Sequence, residues 1–400
     1  MISLNDVLLA MSNIPVDDPI AEIWGRQMQG GYKIIEYTGT LPITINADGN
    51  ALLDYRICGA DGGVGEPTEN LFDIRKVNNP PKCMYSGSTF SFDGQSLNYD
   101  ILCKTNGASA TPNPEKMIAV SPGTYTLILG SETTAPDNSR FRVRFFDGET
   151  VTELGTFKIL PQSHTIVIEN DGYLSFMISS GVVTVADFML VEGSTAPTKY
   201  IPHGYKLPMT VSDGDTEQTV PVYIGENQLD SVEGVADYVD KSSGKIVRCI
   251  KEYTFTGDEQ FISYQLGFQT NANFTDAVVT TNAITTRFSH FTARSNTGRG
   301  SMAYPSFGDD CACFRTLEYS KNVMVRSTSN FTTAEECNAY FKAQYDNGTP
   351  VKMWYIMETP VEEDPPVPLP EIPTIDGTTI IDYDGDPKPS QMYVKYKGKG

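Results

Sequence analysis

The chain has 400 residues and a formal net charge of −20, from 50 acidic and 30 basic residues. This length predicts two to four domains of roughly 100–200 residues each, and an apolar fraction of 40% excludes wholesale disorder. Such an acidic chain is repelled by phosphate backbones, so we expect no nucleic-acid binding, and no run approaches the ~20 apolar residues that a membrane-spanning helix needs.

The residue mix favours short strands. The sequence is rich in Thr, Tyr and Phe, with 34 Gly and 25 Pro as punctuation. Only three His are present, and no regular alternation of helix and strand indicates a common enzyme fold. The sequence therefore predicts a mainly-β, multi-module, non-enzymatic protein.

The cysteines and the N-terminus indicate the compartment of folding. The seven cysteines include no Cys-x-x-Cys pair. The start, MISLNDVLLAMSN, has no basic residue before its apolar run and no small-residue cleavage site, which predicts no secretory signal. We therefore expect free thiols in a chain that folds in a reducing cytoplasm.

Residues 1–30 are predicted to be a helical docking segment. Ser3 can cap a first helix, and Pro19 suits the first position of a second. The apolar side chains of the two helices fall on single stripes: Leu4, Val7, Leu8 and Met11, then Ile20, Ile23 and Trp24. This pair is too short to have its own core, so we expect it to dock on its own chain or on a partner subunit.

Residues 31–65 are predicted to be an extended β-ribbon connector. It contains strand-like runs at 32–37, 41–46 and 51–58. Asp48-Gly49 is a hairpin signal between the last two runs. The Gly-rich run that ends the segment is typical of a flexible joint.

Residues 66–205 are predicted to form a jelly-roll-like β-sandwich. Phe141, Val143 and Phe145 alternate with arginines at 140, 142 and 144, which indicates a half-buried strand with one wet, basic face. The remaining strand-like runs follow at the roughly 8–12-residue spacing of a sandwich: 124–129, 165–168, 173–178 and 182–191.

Residues 206–245 are predicted to be a second ribbon connector, and 246–360 a small second domain with strands and one helix. Its strand candidates are 247–256, 260–268, 322–326 and 351–357. Thr332 and Thr333 each stand three residues before a glutamate, so either register completes a capping box. Gly348 and Pro350 end the helix, and its apolar face is Cys337, Tyr340, Phe341 and Tyr345.

Residues 361–400 are predicted to be a Pro-rich linker followed by a C-terminal β-hairpin. The stretch VEEDPPVPLPEIP is extended and semi-rigid by composition. The hairpin is expected around 382–389.

Several of these connecting segments carry a family resemblance. YTGTLPITINADGNALLDYRICGADGGVGEPTENLFD, DFMLVEGSTAPTKYIPHGYKLP, and VPVYIGENQL with DYVDKSSGKIVR resemble minor structural (tail or baseplate) proteins of bacteriophages and prophages of Gram-positive gut bacteria. NFTTAEECNAYFKAQYDNGTPVKMWYIMETP and LPEIPTIDGTTIIDYDGDPKPSQMYVKYKG are similar to the same family. The resemblance implies a β-rich virion protein of a tail tip, baseplate or fibre-like appendage, made in the host cytoplasm. It supplies no catalytic residues.

Adjacent acidic residues raise the alternative of a tail-associated glycan hydrolase. Glycoside hydrolysis uses two carboxyl groups about 5–9.5 Å apart in a cleft. Examples of adjacent pairs are Asp17-Asp18, Asp309-Asp310, Glu335-Glu336 and Glu362-Glu363. Among 50 acids such pairs also arise by chance and solvate the surface, and the chain has no coil repeat of a parallel β-helix. We expect no enzyme.

Neither a zinc site nor a thiol nucleophile is indicated. Cys311 and Cys313 are too close in sequence for a zinc knuckle, so we expect partly buried strand cysteines. His290 is expected at a core edge, and a pair with Cys249 or Cys337 has no local signature of a nucleophile.

Two further motifs fall short of ligand sites. The run from Asp382 through Asp384 to Asp386 begins like a calcium loop, but Gly385 is fourth instead of sixth and Tyr393 occupies position twelve. A turn explains it better. GADGGVG lacks the Lys-Ser/Thr ending of a phosphate loop, so we expect neither cofactor nor metal.

Carbohydrate binding by the sandwich is the strongest ligand hypothesis. Sugar sites combine aromatic faces with amide and carboxylate groups on shallow surfaces. Tyr85, Phe90, Phe92 and Tyr99 lie in a polar, Ser- and Asn-rich stretch where exposed aromatic rings would serve. The alternative is that these rings close one end of the sandwich core.

The expected partners are other copies of the chain, other tail or baseplate proteins, and host-surface polysaccharide. The ribbons at 31–58, 206–230 and 374–396 would be marginal alone, and their open edges invite pairing with another chain. A trimer is expected, since the resemblance implies three-fold appendages. The alternatives are a monomer with ribbons folded back over its own sandwiches, and a collar or head-decorating protein without a ligand.

Overall fold

A computed structural model describes residues 27–28, 32–39, 41–47, 52–77, 83–92, 99–103, 105–106, 112–159, 162–178, 181–264, 267–280, 283–295, 309–317, 320–372, 377–385 and 388–399. The fold is mainly β, as the composition predicts. In the described part of the chain, no helix is both long enough and apolar enough to cross a lipid bilayer.

In the described residues, seventeen strands lie between Gln27 and the end of the sandwich. They are β1 (Gln27–Met28), β2 (Tyr32–Gly39), β3 (Ile43–Ala47), β4 (Leu52–Cys58), β5 (Glu66–Pro67), β6 (Cys83–Ser86), β7 (Thr89–Phe92), β8 (Tyr99–Asp100), β9 (Thr105–Asn106), β10 (Ile118–Val120), β11 (Gly123–Leu129), β12 (Arg140–Phe146), β13 (Val151–Lys158), β14 (Gln162–Ile168), β15 (Gly172–Ile178), β16 (Val183–Ala186) and β17 (Met189–Glu192).

The later elements are fifteen strands and one α-helix, with a 3-10 turn at Ile74–Val77 earlier in the chain. They are β18 (Tyr205–Ser212), β19 (Glu217–Gly225), β20 (Ser231–Val232), β21 (Val235–Ala236), β22 (Tyr238–Asp240), β23 (Lys245–Thr254), β24 (Phe261–Tyr264), β25 (Gly267–Thr270), β26 (Thr286–Phe288), β27 (Thr292–Ala293), β28 (Cys311–Leu317), β29 (Ser320–Arg326), α1 (Ala334–Asp346), β30 (Lys352–Glu363), β31 (Gly377–Tyr383) and β32 (Gln391–Lys399).

The sandwich lies between β6 and β17. One sheet has the order β13-β12-β15-β8-β9, with β10 also paired to β15. It packs against two three-stranded sheets, β14-β11-β17 and β16-β7-β6. The core between them is rich in phenylalanine: Phe72, Phe90, Phe92, Phe141, Phe176 and Phe188. The sandwich-like architecture therefore agrees with the spacing of strand-like runs in the sequence.

A second core is built from three distant parts of the chain. One sheet has the order β19-β18-β31-β3, and it packs against the β32-β4-β22 part of an eight-stranded sheet, β1-β2-β32-β4-β22-β23-β30-β26. We refer to the strands β2–β4, β18, β19, β22, β31 and β32 as the central unit. Its fully buried side chains come from all three parts: Ile43, Leu53, Leu207, Val222 and Ile381.

Neither predicted hairpin of this region is formed. β3 pairs with β31, whereas β4, the next strand, pairs with β32 in the other sheet. In the same way β31 and β32 are consecutive but belong to different sheets. The turn signals therefore mark places where the chain passes from one sheet to the other, because this arrangement buries the apolar side chains of both strands in one core.

The predicted ribbon connectors, 31–65, 206–245 and 361–400, thus supply the strands of the central unit. The Gly-rich run before residue 66 is also fixed, since Val64 is buried and bridges to Leu229. The Pro-rich linker is packed as well. β30 continues to Glu363, and the side chain of Ile372 is buried in the central core.

The predicted second domain, 246–360, is called the C-terminal domain below. It packs the sheet β24-β25-β29-β28-β27 and α1 against the β23-β30-β26 end of the eight-stranded sheet. Thr333 is the N-cap of α1, and Glu336 completes the capping box, so the second of the two predicted registers is confirmed. Phe341 stacks on Phe261 with ring centroids 4.4 Å apart. Tyr345 was expected on the apolar face but is 45% exposed.

The predicted N-terminal docking segment lies outside the described residues up to residue 26. Gln27–Met28, which the sequence places at its end, form β1 and pair with β2. This docking prediction therefore stays a prediction.

Candidate functional site

The outer face of the β13-β12-β15-β8 sheet presents aromatic and polar side chains together. In β12, Phe141 and Val143 face the core, so Arg142, Arg144 and Phe146 face outward. The antiparallel register places Phe146 opposite Tyr173 of β15. A shift of register after Val143 then brings acidic and hydroxyl side chains of β13 to the same face.

The aromatic part of this face is the pair Phe146 and Tyr173. Their ring centroids are 6.4 Å apart with an interplanar angle of 35°, and both side chains are half-buried. Val151, which is 39% exposed, lies opposite Phe146 across the β12–β13 pair. A shallow apolar surface of this kind can pack against the C–H face of a sugar ring.

The polar part is the group Arg142, Glu153 and Thr156. Glu153 Oε2 lies 3.7 Å from Arg142 Nη1, and its Oε1 accepts a hydrogen bond from the hydroxyl of Thr156. Arg142 Nε is buried without a hydrogen-bond partner. The Arg142 side chain as a whole is 33% exposed, so a ligand on this face can reach the guanidinium at its exposed part.

A buried ion pair lies on the same side of the sheet. Arg144 Nη1 lies 3.3 Å from Asp100 Oδ2, and the side chains are 8% and 0% exposed. Asp100 Oδ1 also accepts from the N–H of Leu102 at 3.1 Å and of Cys103 at 2.8 Å, and Ser175 donates to Oδ2. The expectation of a uniformly wet, basic strand face is therefore wrong at Arg144, because Asp100 neutralises it inside the structure.

The aromatic residues singled out in the sequence do not form this face. Phe90 and Phe92 are buried in the sandwich core, as the alternative interpretation proposed. The side chains of Tyr85 and Tyr99 lie outside the described residues. Phe146 and Tyr173 were missed because only the β12–β15 register brings them together.

In each adjacent acidic pair that is described, at least one carboxylate is engaged by protein groups. Glu336 accepts from the N–H groups of Thr332 and Thr333, and these bonds lower the pKa of its carboxyl. Glu363 pairs with Arg248 at 3.0 Å. Asp309 accepts from the N–H and hydroxyl of Thr328. The pair Asp17-Asp18 lies outside the described residues.

A second polar cluster joins the central unit to the C-terminal domain. The Arg287 guanidinium contacts Asp61 Oδ1 at 2.7 Å and Asp230 Oδ1 at 2.5 Å, and it lies over the Trp354 ring at 4.0 Å. Burial raises the pKa of Asp230 to about 6, against the opposing effect of Arg287. Because Arg287 binds both carboxylates, the cluster acts as a brace between the two units.

The cysteines and the histidine that the sequence analysis considered for zinc binding or catalysis lie in separate places. Cys311 and Cys313 are fully buried on one face of β28. Cys58, Cys103, Cys249 and Cys337 are free thiols, and burial raises the pKa of Cys337. His290 was expected at a core edge but is exposed, with Nδ1 2.7 Å from the Ser289 hydroxyl.

The acidic run near residue 384 is engaged by protein groups. Thr210 donates its hydroxyl to Asp384, and Asp384 N–H donates to the carbonyl of Pro208 at 3.0 Å. Lys388 Nζ lies 3.4 Å from Asp382 Oδ1. These bonds tie the chain crossing between β31 and β32 to β18.

A mixed group of potential metal ligands lies where the sandwich meets the central unit. One ligand atom each from Asp73, His203 and Glu226 lies within 4.8 Å of the others. Arg75 contacts both carboxylates. Burial, with the nearby cations Arg75 and Lys76, lowers the pKa of the His203 imidazole.

Comparisons with known proteins give no match to the chain, whether with protein-family models, with curated proteins or with solved structures.

Proposed function

We propose that this chain is a structural protein of a bacteriophage tail, baseplate or fibre-like appendage, and that its sandwich attaches the particle to a host-surface glycan. The sequence resemblance supports the virion location, with synthesis in the host cytoplasm. The mainly-β, multi-module fold is compatible with such a part.

The observation that carries glycan binding is that the pair Phe146–Tyr173 shares one sheet face with Arg142 and Glu153. The rings offer an apolar surface, while the partly exposed side chains of Glu153 and Arg142 offer an acceptor and a donor. The buried Arg144–Asp100 pair on the same side of the sheet links β12 to β8. This combination of a shallow aromatic surface and fixed polar groups suits a neutral or amino sugar.

The test is binding of the full-length protein to cell-wall and capsular polysaccharides from Gram-positive bacteria. We expect Tyr173→Ala and Phe146→Ala to weaken binding by about tenfold or more, as for central aromatic contacts in other interfaces. Tyr345→Ala is the matched control, since Tyr345 is an exposed aromatic residue in another domain. Equal binding by all three variants would contradict the assignment of this face.

The runner-up is a tail-associated glycan hydrolase centred on Asp230. A carboxyl with a pKa of about 6 is suited to donate a proton near neutral pH, and Trp354 lies in the same cluster. Release of reducing ends from the same polysaccharides, abolished in Asp230→Asn, would favour the hydrolase. Retained binding without release favours attachment.

The proposal includes self-association, with a trimer expected, and contact with other tail proteins. The central unit closes within one chain, so its ribbons do not need strands from another copy. Self-association is supported instead by the resemblance and by the edge strand β19, whose first residues are exposed. Light scattering on the purified chain should give a concentration-independent mass near three times 44.0 kDa. A mass near 44.0 kDa would contradict it.

The position of the chain in the particle distinguishes a tail protein from the remaining alternative, a collar or head-decorating protein. Antibody labelling of particles in negative stain should place the chain on the tail or an appendage. Label on the collar or head, together with no polysaccharide binding, would instead indicate a decorating protein without a ligand.

A further inference from the structure

We infer that Asp73, His203 and Glu226 form a zinc-binding site that fastens the sandwich to the central unit. The three residues come from separate elements. Asp73 precedes the turn Ile74–Val77, His203 lies between β17 and β18, and Glu226 follows β19 directly. This inference is independent of the proposed attachment function.

The geometry suits a single ion. One ligand atom from each residue lies within 4.8 Å of the other two, so that one cation between them can contact all three. His203 Nδ1 is shielded from solvent and has no hydrogen-bond partner. A buried ring nitrogen without a partner is costly, and a metal ion would satisfy it.

Arg75 orients the carboxylates of Asp73 and Glu226 by contacting one oxygen of each. Its N–H and Nε both donate to Asp73 Oδ1, at 3.0 and 2.9 Å, and its Nη2 contacts Glu226 Oε1. Each carboxylate therefore retains its second oxygen for a metal. Metal-binding carboxylates are commonly held by such an outer hydrogen bond.

The donor set selects the metal. One imidazole nitrogen with two carboxylate oxygens suits Zn²⁺, which accepts N and O ligands and can complete its coordination with water. Mg²⁺ and Ca²⁺ prefer sites made only of oxygen. With the ion bound, the sandwich and the edge of the central unit would share a bond that neither forms alone.

The test uses the full-length protein after removal of metals by a chelator. Competition with a chromophoric zinc indicator should show one Zn²⁺ bound per chain, and His203→Gln should weaken it by about tenfold or more. His164→Gln is the matched control, because His164 is another half-buried histidine, distant in sequence. At a hundredfold excess over the wild-type Kd, Zn²⁺ should raise the Tm of the wild type by roughly 5 °C, and that of His203→Gln by about half as much or less.

Two results would overturn the site. If Arg75 is the only charge partner of the two carboxylates and no metal binds between them, the wild type and His203→Gln will bind Zn²⁺ equally or not at all. If the free thiols bind the metal instead, Co²⁺ substitution will show thiolate charge-transfer absorption, which an N/O site lacks.

Discussion

Removal of the last two strands should unfold the central unit and leave the sandwich intact. A chain ending at Ile372 lacks β31 and β32, each of which lies between two other strands. β31 separates β18 from β3, and β32 separates β2 from β4. The truncation therefore removes one interior strand from each of the two facing sheets.

The magnitude follows from the buried side chains that are lost. Four of them are at most 3% exposed: Ile381, Tyr383, Met392 and Val394. At about 1.5–3 kcal/mol for each buried apolar side chain, the loss is about 6–12 kcal/mol. A whole domain is stable by only about 5–15 kcal/mol, so the central unit should not survive.

Hydrogen exchange followed by mass spectrometry reads out each unit separately. In the truncated chain, peptides covering β4 and β18 should exchange freely, while those covering β11, β12 and β15 stay protected. A milder variant, Ile381→Ala, should destabilise the central unit by about 2–5 kcal/mol. Ile262→Ala, at a position 56% exposed, should change stability by less than ~0.5 kcal/mol.

Protection of β18 in the truncated chain would refute this topology. So would equal stability losses for Ile381→Ala and Ile262→Ala. Both outcomes would mean that β31 is not an interior strand of a shared core.

Three further predictions concern single side chains. Asp100→Ala leaves the buried Arg144 unpaired and should destabilise the sandwich by about 3–5 kcal/mol, measured by urea unfolding followed by hydrogen exchange. Glu153→Ala, at the surface, should destabilise it by less than ~1 kcal/mol. Thr333→Ala removes the N-cap of α1 and should lower protection of that helix by about 1 kcal/mol, with Thr333→Ser restoring it. Burial raises the pKa of Asp230 from 3.8 to about 6, so its contribution to stability is full below pH 4 and is lost as the pH rises through 6. Asp230→Asn should therefore remove about 3 kcal/mol of the pH dependence of the free energy of unfolding. Parallel pH profiles of the wild type and this variant would contradict the prediction.

The sequence determined the features that depend on neighbouring residues. Frequent β-branched and aromatic residues gave the mainly-β class. The alternation in 140–146 placed β12 and its core-facing side chains correctly. Thr333 and Glu336 located α1, because a capping box is a local set of hydrogen bonds.

Local patterns misjudged burial where distant residues decide it. The alternation assigned Arg144 to the outer face, which is correct, but Asp100 arrives from another part of the chain and buries it. The candidate glycan face also depends on residues that are distant in sequence. Phe146 and Tyr173 are 27 positions apart, and only the antiparallel register of β12 and β15 makes them neighbours.

Only the tertiary structure decided which strands pair. Asp48-Gly49 and the run near 384 are turn signals, and turn signals do not specify whether the next strand returns to the same sheet or crosses to the facing one. Here both cross, so that β3 meets β31 and β4 meets β32 from opposite ends of the chain. The physical reason is burial: each strand has an apolar face that no neighbour in sequence covers, and the shared core satisfies all of them together.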